Sequence, residues 1–135
     1  MKLFSATVLS VMLVCAVSLA AQGQAKPVPA TPENAAAFLG DWIITAKGSY
    51  GDLTVNLTLK AAEGKVAGEA SDTNGKHPLG DVAKSGSSLV ASYVFDYQGM
   101  PIDAVITLTP NDKNVDAALD FANGAAQFVG TAAKK

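Results

Sequence analysis

From residue 41 to the end of the chain, apolar and polar side chains alternate with a period of two. This alternation is typical of β-strands that have one buried face and one solvated face. Short segments rich in Gly, Asn and Pro interrupt it and predict tight turns. The fourth predicted strand breaks the alternation, which is typical of a bulge. The predicted strands are residues 41–48, 53–60, 65–71, 77–84, 88–97, 101–109, 114–121 and 125–133.

The connections between these strands are too short to hold a crossover helix. The strands are therefore expected to run antiparallel and to pair with their neighbours in sequence. A flat sheet of this size would leave two open edges and an uncovered apolar face. A sandwich would cover the face, but its usual connections jump between sheets. We therefore predict an all-β fold, an eight-stranded antiparallel up-and-down barrel in which the last strand pairs with the first.

A short helix is predicted just before the first strand. Thr31 is a favourable N-cap, and Pro32 suits the first helical position because its missing N–H would have no partner there. The helix is expected to cover residues 32–39 and to stop at Gly40. Phe38, near its end, would then plug one end of the barrel.

The first residues resemble a secretory leader. Lys2 supplies a positive start, and residues 3–21 carry no charge and end in small residues. This pattern predicts a signal peptide over residues 1–21, cleaved near Ala20 or Ala21, and a secreted or periplasmic protein. A transmembrane anchor is the competing interpretation, but polar residues and not a basic stop follow the run. The linker is then residues 22–31, the barrel domain is residues 32–135, and no membrane span remains after cleavage.

Composition argues against several functions. The net charge is −2, and no cluster of basic residues is present, so nucleic acid is not an expected partner. The single His, His77, lies just after a predicted Asn-Gly turn and is expected at a solvated hairpin end. One His without Cys ligands falls short of the usual zinc sets, and no G-x-S-x-G motif marks a nucleophile. We therefore expect no catalytic residues, no metal and no cofactor.

Gly40, Asp41 and Trp42 form a G-x-W motif at the start of the first strand. With the helix before it, the chain resembles a short bacterial lipocalin-like protein of the calycin type. The resemblance implies that Trp42 packs across the closed end of the barrel and that a basic residue after the last strand, here Lys134, covers it. The chain departs from lipocalins in being shorter, in having Lys for the usual Arg, and in having neither a disulfide nor a C-terminal helix.

The predicted inner face mixes bulky aromatic residues with Ala and Gly. An eight-stranded barrel with this composition can be filled by side chains or can hold one small ligand. The first hypothesis is a binder of a small apolar ligand at the end away from Trp42. The candidate ligand-binding residues are Tyr50, His77, Tyr93, Tyr97, Met100 and Phe121.

The alternative hypothesis is a packed module that has no small-molecule ligand and acts through its outer surface. Val94 and Val105 are predicted to face each other on the outside of one hairpin. They would form a contact patch for a protein partner or for a second copy of the chain.

Overall fold

The computed structural model describes residues 26–135. The predicted signal peptide and the first residues of the predicted linker lie outside the described residues. The remainder confirms the prediction of an all-β, antiparallel fold. The strands are β1 (Val28–Pro29), β2 (Gly40–Gly48), β3 (Gly51–Ala62), β4 (Lys65–Asp72), β5 (Gly75–Pro78), β6 (Asp81–Ser85), β7 (Ser88–Tyr97), β8 (Met100–Pro110), β9 (Val115–Phe121) and β10 (Ala126–Lys134).

All ten strands belong to one antiparallel sheet in the order β1-β6-β7-β8-β9-β10-β2-β3-β4-β5. From β2 to β5 and from β6 to β10, strands that are neighbours in sequence pair through short turns, as the alternation predicted. The long strands β10 and β2 also pair, and their register places Lys134 opposite Trp42. The last strand therefore pairs with the first of the eight predicted strands.

The predicted eight-stranded closed barrel is wrong in its strand count and in its closure. The fourth predicted strand, residues 77–84, is divided at Leu79 and Gly80 into β5, which pairs with β4, and β6, which pairs with β7. Pro78 lacks an N–H to donate to a ladder, which explains why pairing stops there. The Leu79 N–H donates to Gly68 O on β4 at 2.9 Å, and the Gly80 N–H donates to Ser92 O on β7 at 2.7 Å. The two residues between β5 and β6 are therefore each hydrogen-bonded to a different neighbouring strand. We call this break between β5 and β6 the seam.

The predicted N-terminal helix is also wrong. Residues 36–38 form only a 3-10 turn, Ala36–Phe38. Thr31 does not cap this segment, whose N-cap is Ala35. Thr31 instead closes the preceding turn with Asn34: its Oγ1 accepts a hydrogen bond from the Asn34 N–H at 3.1 Å, and its own N–H donates to Asn34 Oδ1 at 2.7 Å. So short a segment gains too little from helical hydrogen bonds to form a stable helix, and the burial of Phe38 decides its conformation instead.

The inner face of the sheet packs on itself. One apolar cluster draws residues from β2, β3, β4, β7, β8, β9 and β10, so the sheet curls until its apolar face is covered. The largest fully buried side chains all come from alternating inward positions. They are Ile44, Val55, Leu57, Leu59, Leu89, Ile106, Leu108 and Leu119.

One end of the curled sheet is sealed around Trp42. The indole is 4% exposed, and its Nε1–H donates to Phe38 O at 2.8 Å. Lys134 Nζ lies 5.4 Å from the centroid of the Trp42 ring, and Lys84 Nζ lies 5.2 Å from that of Phe38. Both are cation–π distances. We call this end the tryptophan end.

Two glycines allow the strands to curl. A Cβ added to Gly130 would collide with the backbone of Thr45 on β2, and one added to Gly68 would collide with the backbone of Thr58 on β3. Neither glycine has a positive φ, so the requirement is one of space and not of backbone conformation. Glycine in a strand interior commonly marks such a close backbone approach.

Replacing Gly130 by Ala should lower the free energy of unfolding by about 2–3 kcal/mol, because the backbone of β2 has to move. The matched control is Gly80→Ala, where the new Cβ would meet Ser92 O at 3.6 Å, an ordinary contact. That control should change stability by less than about 1 kcal/mol. Urea unfolding followed by Trp42 fluorescence measures both. Equal losses would contradict the close approach.

Replacing Lys134 by Gln should lower the free energy of unfolding by about 0.5–1 kcal/mol, because the cation over Trp42 is lost. Lys135→Gln is the control, because only the backbone N–H of Lys135 makes a contact, to Asp41 O. Chemical denaturation of the two variants tests this difference. A stability of Lys134→Gln equal to that of the control would show that the ammonium group contributes nothing.

Candidate functional site

The end opposite Trp42 is not sealed in the same way. The connections 49–50, 73–74, 98–99 and 122–125 all lie at this end, which we call the mouth. The inward apolar side chains nearest the mouth are only partly buried, whereas those below them are fully buried. These partly buried residues are Leu53, Phe95, Ile102, Phe121 and Ala126. The mouth therefore presents apolar surface to solvent.

Aromatic rings run in a continuous line just inside the mouth. His77 on β5 stacks on Tyr93 on β7, with ring centroids 5.4 Å apart and ring planes 12° apart. Tyr93 contacts Phe95 at 6.2 Å, Phe95 contacts Phe121 at 5.8 Å, and Phe121 contacts Phe128 at 5.7 Å. The last two contacts are edge-to-face, a favourable geometry for aromatic rings. The line joins β5, β7, β9 and β10.

A carboxylate holds the histidine at one end of this line. Asp72 Oδ1 lies 3.4 Å from His77 Nε2 and accepts a hydrogen bond from the Asn74 N–H at 2.7 Å. The prediction that His77 is solvated is wrong: it is 9% exposed. The Asn-Gly turn was recognised correctly, but alternation along β5 turns the imidazole inward, where stacking and Asp72 compensate for its burial.

Tyr93 carries the most unusual group of the described chain. Its side chain is 2% exposed, and its hydroxyl is the one buried side-chain polar atom within residues 26–135 that has no hydrogen-bond partner. Burial, and secondly the negative charge of Asp72, raise the pKa of Tyr93 to about 12. The phenol therefore stays protonated at neutral pH and has a proton available to donate.

The structure separates the predicted ligand-binding residues into two groups. His77, Tyr93 and Phe121 belong to the aromatic line. Tyr50, Tyr97 and Met100 lie on the turns of the mouth and are 76%, 51% and 62% exposed. Sequence reasoning placed Tyr97 on the inner face, but it is the last residue before a two-residue turn and extends past the core. All three lie around the mouth without contributing to the aromatic line.

Sequence reasoning missed Asp72 and Phe95 as members of the site. The position of Asp72 beside the Asn-Gly turn, five residues before His77, is the signal in the sequence that could have identified it. A two-residue turn places residues 72 and 75 opposite each other, which brings His77 back along β4. Phe95 shares the inward alternation of Tyr93, which by itself indicates only a core position.

Among residues 26–135, no group of three or more His, Cys, Asp or Glu side chains is placed to hold a metal ion. No helix in that range is long and apolar enough to cross a membrane. What the aromatic line offers is apolar contact area and one phenolic donor.

The two outward valines do not face each other as predicted. Val94 lies opposite Asp103, and Val105 lies opposite Ser92, so the register differs by two residues from the prediction. The turn occupies both Gln98 and Gly99, and the pairing starts from Tyr97 and Met100. Val94 is 54% exposed, and both valines line a groove on the outer face.

Replacing Tyr93 by Phe should raise the free energy of unfolding by about 1 kcal/mol, because a buried hydroxyl without a partner is removed. Tyr97→Phe, at an exposed position, is the control and should change stability by less than about 0.5 kcal/mol. Denaturant unfolding at neutral pH measures both. A loss of stability in Tyr93→Phe would show that the hydroxyl has a partner in solution.

The same pair of variants tests the shifted pKa of Tyr93. Below about pH 10 the phenol is protonated in both states, and between about pH 10 and 12 only the folded protein keeps the proton. The stability of the native chain should therefore fall through this interval more steeply than that of Tyr93→Phe. Parallel curves would contradict the shift.

No protein-family model, no curated protein and no solved structure matches this chain. The function is therefore argued from the mouth itself.

Proposed function

We propose that this is a secreted or periplasmic binding protein that takes a small, largely apolar molecule with a hydrogen-bond acceptor at the mouth. The observation that carries the proposal is the buried Tyr93 hydroxyl without a partner, just inside a rim of partly exposed apolar side chains. A ligand oxygen or nitrogen would accept the hydrogen bond that the protein itself does not supply.

The partly buried apolar residues at the mouth, which we call the rim, support the binding of an apolar molecule. Leu53, Phe95 and Phe121 pack against the core yet keep part of their surface in water. Covering such surface is favourable by about 25 cal/mol per Å². The exposed side chains of Tyr50, Tyr97 and Met100 stand on the turns around the rim and could fold over a bound molecule.

Tyr93 and its neighbours support the presence of a hydrogen-bond acceptor on the ligand. A phenol is protonated at neutral pH, so Tyr93 can donate to an acceptor such as a carbonyl or ether oxygen. His77 covers one face of the Tyr93 ring and is held by Asp72. Asp72 also favours a neutral ligand over an anion, because two negative charges in a buried site repel each other.

Access to Tyr93 would be through β5. This strand has four residues and is paired only with β4. Short edge elements open at a lower free-energy cost than the core strands of a sheet. A small outward movement of β5 would lift His77 from the Tyr93 ring and admit a ligand.

The lipocalin-like resemblance is part of the same proposal. Its support is the G-x-W motif at Gly40 and Trp42 and the position of Lys134 above the indole. One end closed by Trp42 and one open, apolar end is the arrangement that the resemblance implies.

The proposal is tested by titrating the protein with Nile red, an apolar fluorophore that carries a carbonyl acceptor. We expect saturable binding with increased fluorescence. Leu53→Lys should weaken it by about tenfold, because a charge is placed at the rim. The matched control is Ile43→Lys on the outer face of β2, which is 38% exposed and should leave affinity within about twofold.

Tyr93→Phe separates the hydrogen bond from the apolar contact, and it is expected to fold. The affinity for Nile red should fall by about fivefold to tenfold, as expected for the loss of one net hydrogen bond. The affinity for a purely hydrocarbon probe such as diphenylhexatriene should not change. Absence of saturable binding, or equal effects of Leu53→Lys and Ile43→Lys, would refute the proposal.

A further inference from the structure

The outer face carries a groove that includes none of the partly buried apolar residues of the mouth, although Tyr93 and Ala104 are among the residues that line it. It has a volume of about 680 Å³ and is bounded on one side by the seam, residues 78–81, and on the other by the β7–β8 hairpin. Leu79, Val94 and Val105 supply apolar lining. Val94 is one of the most exposed apolar residues of the described chain, at 54%. Apolar lining of this kind beside polar residues is typical of an interaction surface.

The groove lies where the backbone ladder is incomplete. β6 begins at Asp81, which lies opposite Ser92, so β7 has no paired strand on that side from Tyr93 onward. In the two-residue β7–β8 hairpin, Tyr97 and Met100 form the pair next to the turn. Every second residue then bonds to β8, and the backbone groups of Val94 point to the seam. The groove therefore offers hydrogen-bonding backbone as well as apolar contact.

The charges at the groove have one sign. Asp81 and Asp103 both line it, and neither forms a salt bridge with any residue of the described range. Asp103 lies directly opposite Val94 across the hairpin. Two carboxylates beside exposed valines complement a segment that carries basic and apolar side chains together.

From these observations we infer that the groove docks an extended peptide segment of a partner protein in which basic and apolar residues alternate. The apolar side chains would cover Val94 and Val105, and the basic side chains would reach Asp81 and Asp103. Alternate residues of an extended chain point to opposite sides, which suits a groove with an apolar floor and charged borders. This inference goes beyond the proposed ligand binding and does not depend on it.

The test uses a fluorescein-labelled peptide of alternating lysine and valine, added to the full chain at low ionic strength and followed by fluorescence anisotropy. Val94→Lys should weaken binding by about tenfold or more, because it removes apolar contact and adds a like charge. Val129→Lys is the matched control: Val129 is 65% exposed on the outer face of β10, away from the groove.

A second pair of variants distinguishes attraction of the peptide to the groove from its attraction to the negatively charged protein as a whole. Asp103→Asn and Asp116→Asn change the net charge equally, but Asp116 lies on the outer face of β9 and does not line the groove. Only Asp103→Asn should lower the affinity for the peptide, by about threefold to fivefold, as expected for the loss of one exposed ion pair. The peptide with glutamate in place of lysine should not bind.

The inference is overturned if the peptide does not bind at a concentration of about 1 mM, because a Kd above that value is too weak for specific recognition. It is equally overturned if the variants of each matched pair weaken the peptide alike, since that shows general attraction to an acidic protein. Peptide binding that Leu53→Lys weakens as strongly as Val94→Lys does would place the peptide at the mouth and also overturn the inference. Thermal unfolding of each variant verifies that the fold is intact.

Discussion

The structure depends on one constraint: the sheet has a single apolar face, and the chain supplies no second layer to cover it. The face can be buried only by curling the sheet on itself, which brings leucines and isoleucines of β2 and β3 against those of β7, β8 and β9. Curling brings neighbouring backbones together, so glycine is required at Gly68 and Gly130. It also sets the seam, because residues 77–84 cannot pair regularly with both β4 and β7 once Pro78 interrupts the ladder.

The two ends of this curled sheet are built differently. At the tryptophan end, Phe38 folds under Trp42, accepts its indole hydrogen bond, and is covered by Lys84 as Trp42 is by Lys134. Nothing comparable covers the mouth within residues 26–135, where apolar side chains such as Phe95 and Phe121 remain partly exposed. A domain that needed only stability would gain from a second plug. The proposed binding of an apolar molecule rests on this difference between the two ends.

Sequence alternation predicted most of the fold because it reports directly on which side chains are buried. It placed the strands to within a few residues and identified Tyr93 as inward and Val94 as outward. It could not predict the seam, because Leu79 and Gly80 are held by single hydrogen bonds to strands remote in sequence. It also misplaced His77, since the residue that makes its burial tolerable, Asp72, is brought close only by the pairing of β4 with β5. The geometry of the site is harder to predict than the fold, because it depends on strand register. A register error of one residue would turn each side chain of the strand to the opposite face.

The seam explains why the unusual features of the molecule occur together. Beyond Ser92, β7 has no paired strand on the side of the seam, and His77 from β5 supplies packing there instead of ladder hydrogen bonds. Ring stacking covers the Tyr93 side chain but gives its hydroxyl no acceptor. On the other face of the same strand, the missing neighbour leaves Val94 exposed beside the groove. A single interruption of pairing thus creates an unsatisfied donor inside and an uncovered apolar surface outside. Because an unpaired buried hydroxyl lowers stability, the interruption of pairing has a cost inside the sheet as well as an exposed surface outside it.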